Sequence, residues 1–255
     1  MKTISLNNRP LISIITVVFN CEKYLEETIK SVINQTYDNI EYIIIDGGSS
    51  DGTLDIIKKY EDKITYWVSE KDGGIYDAMN KGIELSHGEW INFMNGGDIF
   101  FNKTVIEDVF LSNNFKNIDI VYGNHEVRYP HKKRIEIAKE MQNIWQGSCF
   151  SHQSAFISSK LHKINKYNTS ERIIADFEFF YKAYKNKVLF QHVDIIVSSI
   201  SSGGVSDIKR FDSIVGRWNI IEKDTKTNLF YIWLILKEMC KEKIKKVIGF
   251  YSKRK

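Results

Sequence analysis

"LISIITVVFN", residues 11–20, is the stretch on which the fold turns. Apolar side chains, mostly β-branched, run through it almost without a break. A strand with one wet face would alternate apolar and polar residues. A continuous run reads as a strand covered on both faces, as in a parallel sheet flanked by helices. The neighbouring segments agree. "CEKYLEETIKSVINQTY" (21–37) has Leu25, Ile29, Val32 and Ile33 at helical spacing. "IEYIIID" (40–46) is a second buried strand, "TLDIIKKYED" (53–62) a short helix and "ITYWVSE" (64–70) a third strand. "IYDAMNKGIELS" (75–86) reads as a helix with Gly82 as its weak point, and "WINFM" (90–94) as a fourth strand. This alternation predicts an α/β fold with a mainly parallel central sheet.

After residue 103 the pattern loosens into α+β material. "NKTVIEDVFLS" predicts a helix, "DIVYGNHEV" a strand, "SHQSAFIS" (151–158) a strand, "DFEFFYKAYKN" (176–186) a helix and "VLFQHVDIIVSSI" (188–200) extended chain.

Composition narrows the class. The chain has 255 residues, 43% hydrophobic and 27% charged, with two prolines. That fits a globular domain with an appendage and argues against a disordered protein. Cys21, Cys149 and Cys240 are widely spaced, with no metal-ligand pattern, which points to reducing, cytoplasmic surroundings. The first residues, "MKTISLNNRPLIS", lack the apolar core of a secretory signal. Residues 237–255 hold eight Lys/Arg and two Glu, a net +6 within a chain of +4, so residues 1–236 carry −2. The basic character belongs to the tail.

In open parallel sheets, ligands bind beyond the carboxyl ends of the strands. Here those ends hold Asn20, Asp46, Glu70 with Asp72, and Asn95 with Asp98. Acids gathered at one edge repel unless a cation or a polyhydroxy ligand lies between them. Ser49, Ser50 and Asp51 are candidate caps for the helix near Thr53. Asp46 ends an apolar strand, and Gly47 and Gly48 after it would let a nucleobase or ribose approach the backbone. The first glycine of the chain is Gly47, so the first strand–helix turn is no dinucleotide loop, and no Gly-Lys pair supplies a phosphate-binding loop. A bound nucleotide would need its phosphates neutralised differently. "NGGD" (95–98) offers Asp98 to a hard divalent cation, which at a phosphate site takes one or two protein carboxylates. The plain alternative is a tight turn.

Taken together, "ISIITVVFN", "YLEETIKSVINQTYDNIEYIIIDGGSSDGT" and "EKDGGIYDAMNKGIELSHGEWINFMNGGD" resemble the nucleotide-binding half of the family 2 glycosyltransferases. The likeness is to bacterial enzymes of capsule, exopolysaccharide and O-antigen assembly. It is nearly continuous over residues 11–101 and returns at "SHQSAFI", "ADFEFF" and "SSGGVS".

The resemblance implies a GT-A fold, a nucleotide-sugar donor (UDP-sugar before GDP-sugar), Mn²⁺ or Mg²⁺, and inversion at the anomeric carbon. It implies a GT-A domain over 1–206, with a donor half at 10–101 and an acceptor half at 102–206, then a helical extension at 207–255. Asp46 matches the nucleobase carboxylate, and Thr16 lies on the strand beside that pocket. Asp72, Asn80 and Lys81 match the segment flanking ribose, phosphate and sugar. Asp98 matches the last acid of the metal motif. Many members carry two or three acids there. A single one implies that metal and donor bind together.

Inverting transfer needs a base to take the acceptor hydroxyl's proton. "IIADFEFF" places Asp176 at the matching helix start. Glu178, two residues on, cannot share its face. His152 and Gln153 match a segment near the acceptor or leaving phosphate, and "GGVS" (203–206) a loop over the donor.

The tail, "NLFYIWLILKEMCKEKIKKVIGFYSKRK" (228–255), contains an apolar run too short to span a bilayer. Two readings stand: a basic amphipathic helix on the anionic inner leaflet through 229–255, or a terminal helix packed on the domain with a solvated lysine face. Nucleic-acid binding lacks interleaved aromatics. Beside the transferase stand a non-catalytic nucleotide-sugar-binding subunit and a sugar nucleotidyltransferase. The last would want a Gly/Arg-rich loop after the first strand, which is missing.

Overall fold

The computed structural model describes residues 9–111 and 115–252, with the backbone alone for 242–252. The N-terminal reading of residues 1–8 lies outside these. In chain order the elements are β1 (Ile12–Val18), α1 (Leu25–Ile33), β2 (Ile40–Asp46), α2 (Thr53–Lys59), β3 (Tyr66–Ser69), α3 (Ile75–Leu85) and β4 (Trp90–Phe93). There follow β5 (Ile99–Phe100), α4 (Val105–Leu111), β6 (Ile120–Tyr129), β7 (Lys132–Glu136), β8 (Ala155–Ser158), α5 (Ser159–Ile164) and α6 (Ala175–Lys185). The chain closes with β9 (Phe190–Ser201), α7 (Val205–Ile208), α8 (Arg210–Ile220) and α9 (Thr225–Ser252).

The strands form one sheet in the order β3-β2-β1-β4-β8-β6-β9-β5, with β7 hairpinned onto β6. β3, β2, β1 and β4 run parallel, and β6 pairs parallel with β9. β8 is antiparallel to both β4 and β6, which turns β6 back to the direction of β4.

The unbroken apolar run of β1 has its cause in two cores. Ile12, Ile14 and Val18 pack with Leu25, Ile29 and Val32 of α1, Ile57 of α2 and Val105 of α4. Ile15 and Val17, between them in sequence, pack with Met79 and Ile83 of α3 and Phe177 of α6. Alternate side chains of a strand point to opposite faces, so both sets must be apolar. Every residue of β1 is buried.

Gly82 is a packing requirement and no weak point: a Cβ there would lie 2.5 Å from Ile15 Cγ2. Its absence lets α3 sit directly on β1. The cap of α2 also differs from expectation. The cap residue is Gly52, with no side-chain cap bond. Asp51 instead accepts from Thr53 N–H and Glu22 N–H, and Ser50 N–H donates to Asn20 Oδ1. These groups staple the β2–α2 loop to the β1–α1 loop. The helix expected through residue 62 stops at Lys59, and residues 61–63 form a 3₁₀ turn.

In the second half, the strand expected over 151–158 begins only at Ala155. His152–Ser154 form a 3₁₀ turn before it. β7, charged and exposed, has no apolar signal in the sequence. α8 and α9 fold back on the domain: Ile214, Ile221 and Tyr231 join the core that holds Phe179 and Phe180 of α6. Among the described residues, no helix is long and apolar enough to cross a membrane.

Candidate active site

The parallel strands bring their carboxyl ends to one edge. There the loop after β4 makes its turn: Asp98 N–H bonds Asn95 O at 2.9 Å, and Gly97 takes φ +96°, which a side chain would strain. The turn aims the Asp98 carboxylate inward, where it is buried. Ser201 N–H reaches Oδ1 at 3.0 Å, and Gln153 Nε2 reaches Oδ2 at 2.6 Å. Burial raises the Asp98 pKa above its ordinary value, and the bonds from Ser201 and Gln153 only partly oppose this.

Asp176 opens α6 across the site. Tyr76 of α3 donates its hydroxyl to Oδ1 at 3.0 Å, and His152 Nδ1 lies 3.2 Å from Oδ2. The far ring nitrogen, Nε2, lies 3.0 Å from Asn95 Nδ2. The amide nitrogen can only donate, so Nε2 accepts and Nδ1 carries the proton given to Asp176. Burial works against ionising Asp176. The bonds from His152, the Phe177 N–H and Tyr76 outweigh it and hold its carboxyl below the ordinary range. The side chain keeps 25% of its surface open, so a substrate hydroxyl can reach it. Burial, then the Asp176 charge, push the Tyr76 phenol far up, so it stays a donor.

His152 and Gln153 thus connect the two carboxylates. His152 holds Asp176 while its neighbour Gln153 holds Asp98. Glu178 turns instead to Asn168 and Lys182.

The other candidates divide. Asp46 is fully buried, and its oxygens take the N–H groups of Gly48 and Ser49 and the hydroxyls of Ser49 and Ser69. Asp72 lies against Gly47, where a Cβ would come within 2.6 Å of its Oδ2. Lys81 Nζ pairs with Glu70 at 2.9 Å, keeping a cation at the acidic edge. Thr16 does not join the set: it is fully buried and its hydroxyl bonds Met94 O at 2.8 Å. Nor does Asn80, which exchanges two bonds with the backbone of Tyr167.

Four residues escaped the sequence reading: Tyr76, Asn95 in its contact with His152, Arg128 and Arg217. Arg128, at the carboxyl end of β6, bonds Gly97 O and Ser201 Oγ and places a guanidinium beside the glycine turn. Arg217 of α8 is largely buried, its Nε without a partner among the described residues, close enough to Asp176 to feel its charge. Tyr76 stood inside the quoted motif segment. The two arginines lay where the periodicity had loosened, and nothing in the sequence flagged them.

Among the described residues, no group of three or more His, Cys, Asp or Glu could hold a metal by itself. A carboxylate offers about four lone-pair sites, of which Asp98 uses two. The buried Asn95 Oδ1 has no partner among the described residues. One acid and one amide oxygen fit a hard cation that brings phosphate oxygens as its remaining ligands.

A curled, mostly parallel sheet between helical layers, with acids at its carboxyl edge, is the GT-A fold. The sequence profile "Glycosyl transferase family 2" matches residues 13–192, and the chain belongs to that family. It is a glycosyltransferase. An uncharacterized glycosyltransferase of Mycobacterium tuberculosis is 34% identical over 190 residues, 70% of either chain. A "PGL/p-HBAD biosynthesis glycosyltransferase" of Mycobacterium bovis is 29% identical over 206 residues, covering 78% of this chain and 80% of that one. Among solved structures, S. aureus TarS 1–349 in complex with UDP superposes with TM-score 0.65 at 20% identity, over 86% of this chain and 69% of the other. The mannosyltransferase PcManGT from Pyrobaculum calidifontis, in complex with GDP-Man and Mn²⁺, gives 0.65 at 15% identity, over 87% and 67%. The chain spans 42% of a longer TarS chain.

Proposed function

We propose that the protein transfers a hexose or similar sugar, with inversion, from a nucleotide-sugar donor to a hydroxyl of a lipid-linked or saccharide acceptor in bacterial surface polysaccharide assembly. The observation that carries this reading is the pairing of Asp176 with Asp98 through His152 and Gln153. It faces an ionised carboxylate, open over a quarter of its side chain, toward an edge suited to a diphosphate.

Asp176 acts as the base. The acceptor oxygen bonds the anomeric carbon as the bond from that carbon to the diphosphate oxygen breaks. The hydroxyl proton passes to Asp176, and the nucleoside diphosphate leaves with the bonding pair. Attack opposite the leaving group inverts the centre. Tyr76 and His152 each donate to one Asp176 oxygen, which fixes the carboxylate plane and keeps it ionised. Asp98, with Asn95 Oδ1, would hold Mn²⁺ or Mg²⁺. Bound there, the ion would offset the charge developing on the leaving diphosphate. Arg128 stands beside the glycine turn as a fixed positive charge of the chain's own. Asp46 shapes the Gly47–Ser49 loop against the nucleobase, with Asp72 and Lys81 at the ribose and sugar side. UDP-sugars come first as donors and GDP-sugars second, in keeping with the ligands in the TarS and PcManGT structures. The occupied oxygens of Asp46 and Asp98 favour a second reading, a subunit that binds nucleotide-sugar without turnover.

Thermal stability against UDP-, GDP-, CDP- and dTDP-sugars, each with and without Mn²⁺, tests the proposal. Ligand at about 100 times its dissociation constant adds roughly 2.7 kcal/mol. Stabilisation by one nucleotide class, strengthened by Mn²⁺, is expected. No shift with any donor in the presence of metal would refute donor binding. Binding without turnover would establish the second reading.

A further inference from the structure

α9 is apolar on two faces. One face docks on the domain: Tyr231 and Thr227 are buried, and Phe230, Leu234 and Ile235 pack against the core. A helix docked this way ordinarily turns polar side chains to water. Here the opposite face carries Leu229, Ile232, Trp233, Leu236 and Met239, each between 43% and 64% exposed. Their spacing of three, four and seven residues makes one stripe, about 15 Å long at 1.5 Å per residue. The expected solvated lysine face is therefore displaced: the lysines flank the stripe and do not fill it. By helical periodicity Lys226, Lys237 and Lys241 fall along one side, and Lys237 Nζ stands 4.6 Å over the Trp233 ring.

We propose that this stripe docks on an anionic lipid bilayer, with α9 lying in the interface. The proposal stands apart from the transferase mechanism. Charge selects the occupant. The stripe leads directly into the net +6 of residues 237–255, of which 242–255 lie outside the described side chains. A second copy of the chain would set like charges together: antiparallel pairing about the stripe's centre brings Lys226 near Lys241 of the second copy, and parallel pairing runs the two net +6 segments in the same direction side by side. An anionic leaflet answers both the apolar stripe and the basic flank. Trp233, with a cation over its ring, has the amphipathic shape suited to headgroup depth. A lipid-linked acceptor would meet the enzyme at that same surface.

Cosedimentation with vesicles of phosphatidylcholine alone, or with one third phosphatidylglycerol, tests this on the full chain. Partition to the anionic vesicles should exceed that to neutral ones by at least about tenfold, and fall at about 0.5 M salt, where charges are screened within about 4 Å. Leu236→Glu should lower it about tenfold or more, since burying one leucine side chain contributes that much. Leu189→Glu, exposed elsewhere on the molecule, should leave it unchanged, with thermal melts confirming that both variants fold. Absent binding to anionic vesicles, equal loss in both variants, or no loss in Leu236→Glu would overturn the proposal. So would a wild-type dimer in sedimentation velocity that Leu236→Glu dissolves.

Discussion

Replacing Asp176 by asparagine isolates its role as a base, because the surroundings can absorb the change. Tyr76 can still donate to the amide oxygen. The new NH₂ would face His152 Nδ1, now 3.2 Å from Oδ2. The imidazole can answer by moving its proton to Nε2. That proton needs an acceptor, and Asn95 has one: its Oδ1 is buried without a partner among the described residues and reaches Nε2 if the amide turns over. Turning the amide leaves Asn95 Nδ2 where Oδ1 had no partner, so one buried donor goes unpaired and D176N should fold with a loss of about 1–3 kcal/mol. Turnover is another matter. A positioned general base contributes about 10²–10⁴-fold, or about 3–5 kcal/mol of barrier. The assay is release of nucleoside diphosphate in the presence of acceptor, with donor affinity measured by calorimetry in parallel. Turnover should fall by that factor while donor affinity falls far less, since turning the Asn95 amide removes only one oxygen from the set proposed for the metal. D176N retaining turnover within about tenfold of wild type, or losing donor affinity as steeply as turnover, would refute the assignment.

Three further outcomes follow from single residues. D98N should weaken stabilisation by donor with Mn²⁺ yet melt higher than wild type at pH 7. The folded pKa of Asp98 is raised, so wild type loses stability as pH rises through it, and the variant's advantage should fade on acidification below the ordinary carboxylate range. His162, buried among Phe93, Tyr167 and Phe179, has its pKa lowered to about 4 by burial. Stability from its neutral form is present above the unfolded value near 6.5 and is lost as pH falls toward 4, at most about 3 kcal/mol. Urea titrations of H162L should lack that acid slope; equal slopes in both proteins would contradict it. G82A should lower stability by about 1–3 kcal/mol in a thermal melt, through the 2.5 Å approach to Ile15 Cγ2. A melt unchanged from wild type would mean that α3 shifts freely on β1.

The sequence by itself determined the first half of the fold, because period and burial there agree residue by residue. β1 and β2 had to be apolar on both faces, and a sheet helix-covered on both sides was the consequence. It also placed the acids at strand ends, since the end of an apolar run marks the sheet edge. Asp98 could be proposed for that reason, and Asp176 only through the resemblance of "ADFEFF" to the family's helix start. What they touch could not. Tyr76 meets Asp176 across a hundred residues of chain, and His152 and Asn95 lie 57 apart. Such contacts leave no local period. Thr16 and Asn80 stood in the right segments, but whether a side chain faces a ligand or the core depends on what packs over it. Ser49 and Ser69 filling the oxygens of Asp46 is likewise a matter of loop closure. The tail shows the same division. Its charge and length were legible, but which of its two apolar faces would find the domain was decided by the packing of Tyr231 against α6 and α8. That packing left Trp233 and its neighbours facing out.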